Sequence, residues 1–125
     1  MSISRLVLMK DFKRLLIWQK AMEIVALSYT MADKFPLEEK YGLKSQVTRC
    51  VVSIAANIAE GSSRESQKEY KHFNEIALGS CFELETHFLI AIRIGLVEEE
   101  YLRGLLDMIE EEEKMLTAFI KTLIG

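Results

Sequence analysis

The stretch 53-SIAANIAEGSSRES-66 decides how this chain folds. Small apolar residues dominate as far as Ala59, with an Asn and a Glu placed among them; Gly61 is then followed by hydroxyls and Arg64. Such a stretch is a loop that cradles phosphate, a catalytic turn, or the corner between two helices. A phosphate loop needs several glycines and a Lys after a strand, and none of that is present here. The stretch therefore reads as the end of one helix, with Gly61 as the left-handed residue that stops it. A polar corner and the cap of a second helix follow. Ser66 with Glu69 has the spacing of a capping box. Ser62 with Glu65 repeats that spacing four residues earlier, and Ser66 is the preferred start.

Outward from this corner, apolar residues recur at alternating steps of three and four, the period of a helix with one buried face. Upstream, Leu43, Val47, Cys50, Ile54 and Asn57 share a stripe. Downstream, Phe73, Ala77, Ser80, Leu84, His87, Ala91 and Ile94 form the most regular series. An earlier stripe contains Leu15, Trp18, Met22, Val25, Tyr29 and Ala32, with Asp11 as its N-cap and Pro36 barring continuation. Beyond a short corner from Gly95 to Val97, a last stripe runs through Tyr101, Leu102, Leu105, Ile109, Leu116, Phe119 and Leu123. The predicted helices cover 12–34, 43–60, 66–94 and 98–124. Short connections force sequential helices to run antiparallel. The expectation is an all-α, up-down-up-down four-helix bundle in one domain spanning 1–125.

A chain of 125 residues, half of them apolar and with a single Pro, can bury a core without disulfide or metal staples. Cys50 and Cys81 stand among apolar neighbours with no CxxC spacing, and read as inert core thiols. The apolar run from Leu6 to Met9 is too short for a signal peptide and nothing later approaches a membrane span, so a cytoplasmic location is expected. Apolar residues also lie off the core stripes: Val51, Val52, Ala55, Ile58 and Ala59 on the second helix, Phe82, Leu89, Ile90 and Ile92 on the third. A helix apolar nearly all round is covered on both sides, which predicts a homo-oligomer with these two helices at the contact. Asn57 is expected to satisfy neighbouring backbone or fix register there, and Gly61 is grouped with the same contact residues.

Trp18 with Gln19 and Lys20, Phe35 and Pro36, Tyr41 to Leu43 ahead of Gln46 and Arg49, then "SIAANIAEG", Gly79 with Ser80, and "ELET" at 83–86 form a recognisable order. It resembles the four-helix bundle proteins encoded in intervening sequences of bacterial large-subunit ribosomal RNA genes, also labelled S23 ribosomal proteins. The resemblance spans roughly residues 11 to 123. The family pattern has Pro where this chain has Ala55, so a milder kink in the second helix is expected. This family looks related to the accessory variability proteins of diversity-generating retroelements. That relation implies a homopentameric ring with a basic surface, and RNA, DNA or a reverse transcriptase as partners.

Charge is uneven. Residues 1–72 carry twelve Lys/Arg against eight Asp/Glu, and residues 73–125 carry four against eleven. The candidate nucleic-acid-binding residues are Arg5, Lys10, Lys13, Arg14 and Lys20 around the first helix, with Arg49, Arg64, Lys68 and Lys71 across the corner and the third helix. A ring repeats each charge by symmetry, so a few cations per subunit can make a continuous rim for phosphates. Without interleaved exposed aromatics, sequence readout of single strands is not expected. The acidic run from Glu110 to Glu113 reads as a solvated helix face that could instead serve a protein partner.

For catalysis the sequence offers little. Ser62, Ser63 and Ser66 with two distant histidines make no triad. Glu83 and His87 are one turn apart, but a di-metal bundle needs a Glu-x-x-His on each of two helices. His87 therefore reads as a hydrogen-bonded core imidazole, and no enzyme activity, cofactor or metal is expected.

Overall fold

The structure, a computed structural model, describes residues 11–39 and 41–125. Arg5 and Lys10 lie outside the described residues. Among the described residues four helices, α1 (Leu16–Ala32), α2 (Leu43–Ser62), α3 (Gln67–Arg93) and α4 (Glu99–Lys121), are joined by short corners, with 3-10 turns at Phe12–Arg14 and Leu37–Glu39. No strand occurs among the described residues. Each helix packs against its sequence neighbours and α1 also packs against α4, whereas α1 and α3, like α2 and α4, lie across the diagonal. No helix among the described residues is long and apolar enough to cross a membrane.

Helix ends follow local chemistry. Asp11 caps the 3-10 turn rather than α1: its carboxylate accepts from the Lys13 amide at 3.1 Å. Phe12 meets Trp18 edge-on, with ring centroids 5.2 Å apart, which folds this turn back onto α1. The Ser66 hydroxyl accepts from the Glu69 amide at 3.0 Å and starts α3. α3 stops where Gly95 adopts φ of +81°. The Gly95 amide there donates to Ile92 and the Leu96 amide to Ala91, the paired bonds of a Schellman stop.

Gly61 has a different role from the one expected. α2 continues through Gly61 to Ser62, and Gly61 does not have positive φ. A Cβ at Gly61 would lie 2.9 Å from the Phe73 Cβ and 3.3 Å from the Tyr70 carbonyl oxygen. Its bare backbone lets α3 approach. The hydroxyls after it close α2, Ser62 donating to Ala59 and Ser63 to Glu60. α2 is a single helix through Ala55.

The core joins Ile17, Ala21 and Ile24 of α1 to Val47, Ile54 and Ile58 of α2, Ala77, Leu84 and Phe88 of α3, and Leu102, Ile109 and Leu116 of α4. Val51, Ala55 and Ile58 are buried within this single chain rather than left for a second subunit. The reason is that α2 is flanked by both α1 and α3, so its buried wedge is wider than one stripe. Val52, Phe82 and Leu89 are about half exposed, as an outer face requires. The α1 stripe is rotated by one residue from expectation: Ile17, Ala21, Ile24 and Ser28 are buried, while Met22 and Tyr29 are exposed. In α3, Ala77, Leu84 and Ala91 stand as expected, with Cys81 and Phe88 inside in place of Ser80 and His87.

Candidate nucleic-acid interface

The antiparallel path brings the start of α1, the α2–α3 corner and the end of α4 to one end of the bundle. The 3-10 turn carrying Lys13 and Arg14 packs against both α1 and α2. The chain end lies over the first turns of α3: the Ile124 amide donates to the Gln67 side chain at 3.0 Å, and the Lys71 ammonium donates to the Gly125 carbonyl at 3.1 Å. Lys13, Arg14, Arg64, Lys68 and Lys71 thus share this end, and Lys121 ends α4 beside them.

These cations are not equally available. Lys13, Arg14 and Lys68 are exposed. Arg14 lies 3.8 Å from the Asp11 carboxylate. Arg64 pairs with Glu60 one turn back on α2, and its guanidinium stacks over the Phe73 ring at 4.9 Å. Both contacts hold its planar head at the corner. Lys20 lies farther along α1 and is mostly covered, bonded to Glu111 of α4 at 3.3 Å. Arg49 is exposed on the other half of α2 and does not join the cluster.

The seam between α2 and α3 is polar along one line. Asn57 donates to the Ser53 carbonyl at 2.8 Å and to the Ser53 hydroxyl at 2.9 Å, and that hydroxyl lies 2.9 Å from the Ser80 hydroxyl. Farther along, the Cys50 thiol donates to the Ser80 carbonyl at 3.0 Å. Burial first, and then the nearby Glu83 carboxylate, push the Cys50 pKa up to about 12. His87 is half-buried on this seam, and neither of its ring nitrogens is hydrogen-bonded among the described residues. The hydrogen-bonded core imidazole expected at this position is therefore absent.

A family model described as 23S rRNA-intervening sequence protein matches residues 13–118. The chain belongs to the 23S rRNA-intervening sequence protein family. The matched region runs from the first 3-10 turn to the last turns of α4, so it takes in the basic end and the seam. Among solved structures, the chain is similar to a protein of unknown function from the S23 ribosomal protein family of Bacteroides thetaiotaomicron VPI-5482. The two are 24% identical over 85% of this chain and 99% of that one, with a TM-score of 0.79. At that identity the likeness concerns the fold. No curated protein sequence matches the chain.

Two features of the family fold here were not foreseen. Glu112 is fully buried in α4, contrary to the solvated face expected for Glu110 to Glu113. Its position, three residues after Ile109 and four before Leu116, continues the buried period, so the signal was present. The second is the meeting of Cys50 with Glu83 and His87. Cys50 lies on a different helix, and no sequence spacing announces that meeting.

Proposed function

We propose that the protein is a non-enzymatic, ring-forming accessory protein that binds RNA or DNA along the phosphate backbone, in support of an RNA-processing or reverse-transcriptase complex. The observation that carries this reading is the gathering of Lys13, Arg14, Arg64, Lys68 and Lys71 at one end of the bundle. Cations at one end of each subunit become a rim when copies are arranged around an axis, and a rim follows phosphates without reading bases.

The ring itself is supported by exposed apolar side chains on helices that lie across the diagonal. Met22 and Tyr29 are exposed on α1, and Phe82, Leu89 and Ile90 on α3. A cyclic assembly beyond a dimer needs two different patches on opposite sides of each subunit, and diagonal helices supply them.

The test is binding of the full-length protein to mixed-sequence single-stranded RNA and duplex DNA over a salt series, with mass measured by light scattering. For each phosphate neutralised, affinity should fall by about 0.7 (single strand) to 0.9 (duplex) logarithmic units per tenfold rise in salt. An Arg64/Lys68/Lys71→Ala variant should bind more weakly and with a shallower salt slope. A variant that binds like the parent would remove this surface from the reading. A complete lack of binding at low salt would favour the second reading, a homo-oligomeric scaffold that meets protein partners. That reading draws on the exposed carboxylates Glu98 to Glu100, Glu110 and Glu111 around α4.

A further inference from the structure

The α2–α3 seam brings three donor side chains of different chemistry to one point. The Cys50 sulfur, a Glu83 carboxylate oxygen and a His87 ring nitrogen all lie within 4.8 Å of one another. Glu83 and His87 are four residues apart on α3, hence on one face, and Cys50 faces them from α2. Both His87 nitrogens are shielded from solvent without a hydrogen-bond partner among the described residues, an arrangement that leaves buried polar atoms unused at appreciable cost. Glu83 is exposed and forms no ion pair among the described residues.

We propose that Cys50, Glu83 and His87 form a three-ligand site for a divalent transition-metal ion of the zinc class. Thiolate, imidazole and carboxylate are the donors that zinc accepts, and a thiolate with an imidazole disfavours magnesium and calcium. Ligand atoms around a tetrahedral zinc lie roughly 3.5 Å apart, given bonds of about 2.0 to 2.3 Å. Side-chain rotation of about an ångström closes the present spacing. The ion displaces the thiol proton to solvent, occupies the Glu83 and His87 lone pairs, and leaves a fourth position for water on the exposed Glu83 side. Bound there, it ties α2 to α3 and stabilises the native bundle, because the unfolded chain lacks the arrangement.

Cobalt is the probe. Full-length protein, stripped with chelator, should bind Co²⁺ one to one, giving a thiolate-to-metal charge-transfer band in the near ultraviolet and intense tetrahedral d–d bands in the visible, both erased by Zn²⁺. Cys50→Ser should abolish the charge-transfer band, and His87→Gln should remove the tetrahedral intensity. Glu83→Gln, at an exposed position where folding is not at risk, should weaken binding roughly tenfold or more. Cys81→Ser, which removes the other buried thiol, should leave the spectrum unchanged. Zn²⁺ should raise the melting temperature of the parent and not that of Cys50→Ser. The proposal is overturned by weak octahedral cobalt bands without a sulfur signature, by a charge-transfer band that survives Cys50→Ser, or by absent binding at stoichiometric metal.

Discussion

Glu112 places a carboxyl where the helix period of α4 requires an apolar side chain, and neither of its oxygens has a hydrogen-bond partner among the described residues. Burial raises its pKa to about 8; Lys20 opposes that rise and Glu111 adds to it. The folded chain therefore holds this proton more tightly than the unfolded chain, whose carboxyl titrates near 4.5. Its contribution to stability is full below about 4.5, declines as pH rises, and is lost once pH passes about 8. Within that window the slope approaches 1.4 kcal/mol per pH unit. Glu113, raised first by burial and then by the neighbouring Glu85 carboxylate of α3, adds in the same direction. Glu112→Gln stays neutral throughout. Melting curves between pH 5 and 8.5 should show the parent losing ground to this variant as pH rises. Parallel curves would mean that Glu112 is ionised in the fold.

At the scale of the helices, Gly61 and Gly104 make a matched pair. Each is inside a helix, where Ala is favoured over Gly by about 0.5 to 1 kcal/mol. A Cβ at Gly104 meets nothing within 4 Å, whereas at Gly61 it meets the Phe73 Cβ and the Tyr70 backbone. Neither neighbour is the free end of a flexible chain, and overpacking costs about 1 to 3 kcal/mol. Gly104→Ala should raise the melting temperature and Gly61→Ala should lower it. A rise in both would show that α3 can back away from the corner. The same residue shows how far sequence carries. The existence and order of the helices were legible because their apolar periods are long and their end signals local: Pro36 and Gly95 act through their own backbones and Ser66 through its own hydroxyl. The role of Gly61 was not, because its neighbours belong to another helix. The buried face of α1 was missed by one residue for a related reason. Ala21 and Ser28 look less apolar than Met22 and Tyr29, yet their small size is what lets the flanking helices close over them.

At the scale of the whole molecule, the surplus of apolar residues divides between two destinations that sequence alone did not separate. Val51, Ala55 and Ile58 are consumed by the bundle's own core, because α2 has a neighbour on each side. Phe82, Leu89 and Ile90 remain exposed on α3, and Met22 and Tyr29 on α1 across the diagonal. On the proposed reading these two faces meet head to tail and close a ring, which in turn aligns the basic ends around one rim. A Phe82→Asp/Leu89→Asp variant removes one face without touching the core, since both side chains are about half exposed. It should yield monomer by light scattering with helical circular dichroism retained, and it should lose nucleic-acid affinity in parallel, because a rim built by symmetry disappears with the symmetry. A variant of unchanged mass would place the subunit contact elsewhere. A monomeric variant that binds as tightly as the parent would show that one bundle end suffices and that the ring serves another purpose.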